Sequence, residues 1–352
     1  MLWSSVLGIS LRVHPPGSSS LLTETWTTLG AQLVNDSHFD VLWLSGTEPI
    51  ENIVDTQPIS AAVLVDRVPN MTLLTDKHSL DSLGSALNWD FIPRSFNESS
   101  KDGPFSWISK SARHRDVQVL KFAEKSVVQP LLRMGGVVQQ RVRDPLLIDD
   151  HIFDLGVYAL VVQPEGSPLR FSLFDDVLLR FGAVPYLNSV DAMKRLWNVS
   201  SGAELKAAEA ELQRGWIVTD EYRAAWDMPA LSAVMARDQA KSIDALAEHL
   251  SQDAKSPSWK KVWRDLGEAI AEALQAVSAV NAGGRQLGRL NRLRYELVRF
   301  DFQLDSSGGV HLLEVNSGPN LQPKSAPHER MLRRLCAFLY AQLLPRLSET
   351  TW

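Results

Sequence analysis

The stretch from Tyr295 to Leu321 reads YELVRFDFQLDSSGGVHLLEVNSGPNL. Two strand-like runs, Tyr295 to Leu304 and Val310 to Val315, flank Ser306-Ser307-Gly308-Gly309, a turn signal, so the stretch predicts a hairpin. With Asp305 closing opposite Val310, the antiparallel register sets Asp301 directly across from Glu314, both on one face. Like charges so placed repel unless something positive lies between them. A hard divalent cation such as magnesium supplies it, taking oxygen ligands and keeping phosphate oxygens and waters in its other positions. Asn316, two residues beyond Glu314, falls on the same face and offers an amide oxygen as a third ligand. The alternate residues Phe300, Phe302, Leu313 and Val315 are apolar and are expected to point into a core. A solvated polar face on an amphipathic hairpin produces the same spacing, and spacing alone leaves both readings open.

Upstream, the first eighty residues alternate strand and helix signals. Val6 to Val13 reads as a strand, Pro15 to Ser20 as a loop, Leu21 to Leu33 as a helix, and His38 to Gly46 and Ser60 to Val68 as further strands, the pattern of a small α/β lobe. A helix is expected at Lys77 to Leu87, and the turn-rich Asn97 to Pro104 marks a lobe boundary. Short strands follow at Phe105 to Ser111, Val117 to Phe122 and Gly135 to Val142. Phe153 to Gln163 and Pro168 to Gly182, joined by a Pro-Gly turn, form an antiparallel hairpin. Gly202 to Ala282 is mainly helical, and in Trp259 to Val277 the apolar residues recur at three- and four-residue spacing, as in a core-facing helix. A last helix starts near Pro327 and is expected to end before Pro345.

The 352 residues suggest two or three packed lobes, and 45% apolar with 22% charged residues is ordinary for a globular chain. A net charge of -5 gives no support to nucleic-acid binding or to a basic membrane-surface patch. No run reaches the roughly 18 apolar residues a membrane span needs. The N-terminus lacks a basic region and reads as a strand rather than a signal peptide, although a membrane anchor ahead of Met1 in a longer form stays open. Cys336 is the single cysteine, so no intrachain disulfide forms; it lies in an apolar helical stretch and reads as a core thiol, compatible with a reducing compartment. Sequons at Asn35, Asn70, Asn97 and Asn198 matter only in a secreted or lumenal chain.

Three sets of words in this sequence resemble the tubulin tyrosine ligase-like family. Phe300-Asp301-Phe302-Gln303-Leu304-Asp305 and Leu312-Leu313-Glu314-Val315-Asn316-Ser317-Gly318-Pro319 are similar to its F-D-F-x-L-D and L-L-E-V-N-x-x-P. Val137 to Val142, Pro145 to Ile148 and Phe153-Asp154 are similar to V-V-Q-K-Y-I, P-L-L-I and K-F-D-I-R, and Leu179 to Tyr186 to A-R-F-A-T-V-P-Y. Weaker likeness reaches back to Leu74-Thr75-Asp76-Lys77 and to Phe91 through Phe96. The resemblance implies an α/β (α+β) ATP-grasp fold: a small N-terminal α/β lobe (1–98), a central lobe (99–145) and a C-terminal lobe (146–352) with a helical insertion at about 202–282. ATP is expected between the last two. It further implies a ligase in which ATP phosphorylates a carboxylate and an amine captures the acyl phosphate, adding an amino acid, most often glutamate, to the acidic tail of tubulin or a similar protein. Asp301, Glu314 and Asn316 would hold magnesium, with Asp154 close by. Gln139, with the backbone of Gln140 and Val142, would meet adenine. Lys110 would reach the phosphates, Lys77 would also face the nucleotide cleft, Arg180 would pair with the carboxylate or acyl phosphate, and Asn198 keeps one nucleotide position. A cytoplasmic, microtubule-associated location follows from the same likeness, with a membrane-anchored or lumenal form as the alternative.

The pattern also breaks. After Lys110 the family's glycine-containing phosphate loop is replaced by Ser111-Ala112-Arg113-His114-Arg115-Asp116, with no glycine to let the backbone approach phosphate. In the K-F-D-I-R run the lysine position is Ile152 and the arginine position is Gly156. The family's H-x-T-N reads Arg195-Leu196-Trp197-Asn198. Losing a group that stabilises transition-state charge costs on the order of 3 kcal/mol. A catalytically impaired member that binds ATP or tubulin is therefore the alternative to a working ligase.

Overall fold

The structure, a computed structural model, describes residues 9–15, 17–35, 39–44, 64–96, 102–111, 117–164, 167–199, 201–283 and 293–349. Its strands are β1 (Ser10–His14), β2 (Gln32–Leu33), β3 (Val41–Leu44), β4 (Leu64–Asp66), β5 (Trp107–Lys110), β6 (Val117–Leu120), β7 (Val137–Gln140), β8 (Leu147–Ile148), β9 (His151–Gln163), β10 (Arg170–Phe181), β11 (Arg223–Ala224), β12 (Leu293–Leu304) and β13 (Val310–Ser317). Its helices are α1 (Ser20–Thr28), α2 (Thr72–Thr75), α3 (Lys77–Leu87), α4 (Lys125–Arg133), α5 (Ser189–Trp197), α6 (Gly202–Trp216), α7 (Pro229–Met235), α8 (Ser242–Ser251), α9 (Trp259–Gly283) and α10 (Ala326–Glu349).

The large sheet runs β11-β10-β9-β12-β4-β3-β1-β2, with β13 on β12 and β8 on β9. β9 is buried from His151 to Val162 and, apart from His151 and Asp154, is apolar on both faces, as suits a central strand. Successive side chains point to opposite faces. Leu155, Val157, Ala159 and Val161 share a core with Leu266 and Ile270 of α9. Tyr158, Leu160 and Val162 share the other with Leu335 and Leu339 of α10. The helices thus cover opposite faces, but Asp154 and Gly156, on the α10 side, lie beyond that cover. β12 behaves likewise: Tyr295 and Leu297 pack in the α10 core, while Arg299 and Asp301, farther along the same face, do not. A second, antiparallel sheet, β6-β5-β7, faces this uncovered patch. α4 packs on it through Trp107, Val128 and Val138, and α5 and α6 pack on it through Ile108, Val119, Leu196 and Leu212.

The α3 and β9–β10 expectations hold, and four helices occupy most of 202–282. The first helix is shorter than expected. It stops at Thr28, because Gly30 takes a positive φ of 103° and the chain re-enters as β2 beside β1. The last helix is longer, running through Pro345 to Glu349, with its buried stripe of Leu335, Leu339 and Leu343 continuing to that turn. Residues 1–8, including the start of the expected first strand, and 97–101, most of the expected boundary, lie outside the described residues.

The 295–321 hairpin forms with a corrected register. Leu304, not Asp305, stands opposite Val310. Asp305 instead closes the turn: its N–H donates to Gly309 O (3.0 Å), and its Oδ1 accepts from Ser307 N and Gly309 N (both 2.9 Å). A bulge between Asp301 and Phe302 then restores the expected pairing of Asp301 with Glu314. Phe300, Phe302 and Val315 are in the core as expected. Leu313 is not: the bulge leaves it half-buried on the wall of a cavity.

Candidate active site

Four neighbouring strands build a charged floor on the uncovered face. Cross-strand pairs are Arg180 with Asp154, Gly156 with Asp301, Asp301 with Glu314, and Arg299 with Asn316. Arg180 grips Asp154 with both prongs, Nε to Oδ1 and Nη2 to Oδ2 at 2.8 Å, and also donates from Nη2 to Asp301 Oδ2 at 2.9 Å. Arg299 grips Asp301 in the same manner, Nε to Oδ1 at 2.7 Å and Nη2 to Oδ2 at 2.8 Å. Asn316 donates its amide Nδ2 to Asp301 Oδ2 (2.9 Å) and, at 3.4 Å, to Glu314 Oε1. Such two-pronged charge-assisted contacts fix both partners in orientation.

Burial pushes the Asp301 carboxyl toward the neutral form, but the Arg299 and Arg180 guanidiniums outweigh it and hold Asp301 below the usual carboxylate range. Burial also lifts Asp154, with the Asp301 charge adding to it and Arg180 opposing. Neither aspartate is left without a cation. That matters because a buried, unpaired carboxylate is severely penalised.

Opposite the floor, β5 presents Lys110, which is 6% exposed. Its ammonium donates to Gln139 Oε1 and to Leu313 O, each at 2.8 Å, so its direct partners are neutral. Burial lowers it to about 8, with Glu314 and Asp81 pulling up and Lys77 pushing down. Between floor and roof lies a cavity of about 840 Å³, with the chain from Trp216 to Glu221 along a third side. This size suits a small-molecule site.

Of the residues singled out from sequence, Lys110, Gln140, Val142, Asp154, Arg180, Asp301, Glu314 and Asn316 line this cavity. Gln139 stands behind Lys110: it is 5% exposed, accepts from that ammonium and donates to Asp81 Oδ1 at 2.7 Å. The Gln140 N–H is already given to Arg94 O at 2.7 Å. Lys77, the first residue of α3, and Asn198, an exposed residue at the end of α5, do not line the cavity. Arg113 and Arg115 lie outside the described residues. Sequence reasoning missed Arg299, although it lies two residues before Asp301 and strand periodicity puts both on one face. It also missed Arg141, which donates to Tyr186 Oη (3.1 Å) and lies over the Trp216 ring at 5.3 Å, and the acidic segment Asp220-Glu221. Those contacts are long-range and have no local signature.

The sequence matches the tubulin-tyrosine ligase family over residues 75–201 and 232–350, well over half of the chain and spanning every strand of this floor. The chain belongs to the tubulin-tyrosine ligase family. It is 26% identical over 339 residues to "Probable tubulin polyglutamylase ttll-15" of Caenorhabditis elegans, covering 91% of this chain and 58% of that protein. It is 28% identical over 224 residues to human "Tubulin monoglutamylase TTLL4" (62% of this chain, 17% of that protein) and 27% identical over 237 residues to human "Tubulin polyglutamylase TTLL5" (64% and 16%). The chain therefore spans 58% of the nematode relative's length and less than a fifth of the two human ones.

As a tubulin-tyrosine ligase family member with an ATP-grasp-type fold, the chain departs from the motif at Ile152 and Gly156. Ile152 is a buried lining residue, and Gly156 lies on the floor directly beneath the Arg299 side chain. Among the described residues no three His, Cys, Asp or Glu side chains gather as a metal site. The Asp301, Glu314 and Asn316 set still fits a hard cation by type, two carboxylates and an amide on one face. Glu314 has acceptor capacity to spare. Asp301 shares its oxygens with two guanidiniums, and Asn316 turns its N–H toward the carboxylates because acceptors face it. Among the described residues no helix is long and apolar enough to cross a membrane.

Proposed function

We propose that this chain is an ATP-dependent carboxylate–amine ligase that attaches an amino acid, glutamate first among candidates, to the acidic tail of tubulin or a similar protein. The observation that carries it is the cavity between the two sheets, lined together by the cations Lys110, Arg180 and Arg299 and the carboxylates Asp154, Asp301 and Glu314. A transferring phosphoryl group needs positioning and charge stabilisation more than covalent help, and this wall supplies both. Glu314, with Asp301 and Asn316, would hold magnesium, which when bound spreads the charge of the nucleotide phosphates. Lys110, held by neutral acceptors, keeps its charge available to an incoming anion. Val142, with Ile108 and Val117, offers an apolar wall for a base. The names of the relatives point to tubulin and glutamate, and to the cytoplasm where microtubules lie.

A second reading, a member that binds nucleotide or tubulin without turnover, is favoured by the full engagement of Asp301 by arginines and by Ile152 in a lysine position. Two measurements separate the readings. A thermal-shift titration with ATP, with and without magnesium, is expected to stabilise the wild type by about 2.7 kcal/mol at a hundred times its dissociation constant. The gain should vanish in Glu314→Gln. Incubation with ATP, magnesium, tubulin and labelled glutamate is then expected to label the tubulin tail. A shift without label, across a panel of amino acids, supports the second reading; no shift at all sinks the ligase reading and leaves of the second only its tubulin-binding form.

A further inference from the structure

Gly156 lies in the middle of β9, flanked by Leu178 of β10 and Asp301 of β12. A glycine inside a strand weakens it and often marks a close approach by another group. Its backbone has no positive φ, so the residue provides room rather than conformational freedom. The occupant of that room is identifiable. A Cβ at Gly156 would lie 2.9 Å from Arg299 Cδ and 3.3 Å from Arg299 Nε. The Arg299 stem, rooted on β12 opposite Tyr158, leans across β9 over the missing side chain. Its guanidinium then reaches Asp301, and the side chain, 14% exposed, opens on the cavity. Asp301 takes two of the five N–H donors that a guanidinium carries.

Position 156 is where the family motif quoted above has an arginine. An arginine there and one at 299 would claim the same space, so the two arrangements are alternatives: charge from β9, or charge from β12 laid across a glycine. We propose that Arg299 is the phosphate-binding arginine of this cavity, delivered from β12 through the space that Gly156 leaves, and that it contacts the terminal phosphate of the nucleotide. This rests on the ATP reading above. The rival role for Arg299 is purely structural, as counter-charge to buried Asp301.

Calorimetric titration of the whole chain with magnesium-ATP and magnesium-ADP distinguishes these roles. Arg299→Ala is expected to lose at least about tenfold in ATP affinity while ADP affinity stays within about threefold, since a charge-assisted contact to the third phosphate is missing from ADP. Gly156→Arg alone, which crowds two arginines into one space, should behave like Arg299→Ala. The transposed variant Arg299→Gly/Gly156→Arg keeps the charge and the space, and should regain ATP affinity to within about threefold of wild type. Because it keeps Asp301 paired, it carries the test even where Arg299→Ala does not fold. Equal losses for ATP and ADP, or a transposed variant that folds without regaining ATP, overturn the proposal and leave Arg299 structural. Wild type that binds ATP while Arg299→Ala binds it equally well removes this inference alone. Wild type that binds no ATP removes both this and the ligase reading.

Discussion

β12 carries two carboxylates, Glu296 and Asp301, each 1% exposed, on opposite faces of one strand. Asp301 faces Arg299 and Arg180 and is held ionised. Glu296 faces neutral partners, the Ser317 hydroxyl and the Val68 N–H at 2.9 Å, and burial together with nearby Asp66 pushes it up to about 7. The burial is the same in both cases. What differs is the sign of the neighbours, so one face of the strand holds a fixed charge and the other a carboxyl that stays protonated in mild acid.

The largest effect expected from breaking this contrast is at Arg180. Arg180→Ala strips a two-pronged partner from Asp154 and a contact from Asp301, both buried, and loss of one partner of a buried pair costs about 3–5 kcal/mol. Urea unfolding near pH 7 should show it as a lower midpoint. A loss under 1 kcal/mol would mean that water or Arg299 compensates and that the floor is less dry than its burial indicates.

Next in size is Glu296. Its native carboxyl titrates near 7, above its ordinary value of 4.5, so between those limits the native state binds more protons than the unfolded one. The contribution is fully present below about 4.5 and is lost as pH rises through about 7, on the order of 3 kcal/mol over that window. Glu296→Gln, which keeps an acceptor for the Val68 N–H and cannot ionise, should abolish the slope and be the more stable protein at pH 8. Urea midpoints of both proteins at pH 5 and 8 test this, since titrations common to the pair cancel. Parallel pH profiles would show that Glu296 is ionised throughout.

How much of this was readable in advance follows from the range of each interaction. The hairpin, and the Asp301–Glu314 pair within it, come from alternation and turn residues that are close in sequence. Even there the pairing survives by compensation: Asp305 shortens the turn by one, and the bulge at Leu313 takes the residue back. Asp305 as a turn cap competes with Asp305 as a ladder residue, and alternation does not choose between them. Arg299 was within reach of the same alternation. Its berth was not, because Gly156 and Arg299 meet only when β9 pairs with β12. The parallel pairing of β4 with β12, which joins the N-terminal strands to the sheet that carries the site, likewise links distant parts of the chain and leaves no local pattern.

Lys110 sharpens the contrast with the smallest of the three effects. Like Glu296, it is buried with neutral direct partners and is shifted toward its neutral form, here downward to about 8 from 10.5. The unfolded state therefore binds more protons between those values, and the native state gains stability as pH rises from about 8 to 10.5. An anion in the cavity reverses the balance, because it favours the charged ammonium. Magnesium-ATP affinity is then expected to hold steady below about pH 8 and to weaken as pH rises through 8, with a proton taken up on binding in the weakening range. Lys110→Met should bind about tenfold less tightly at pH 7, a difference of about 1.4 kcal/mol, and should show no such decline. Calorimetry in two buffers of different ionisation heat, at pH 7 and 9, reads both affinity and proton uptake. A wild-type affinity that is flat to pH 9.5, with no proton uptake, would put the nucleotide phosphates out of reach of Lys110 and assign the floor arginines the whole of the positive charge that the site offers.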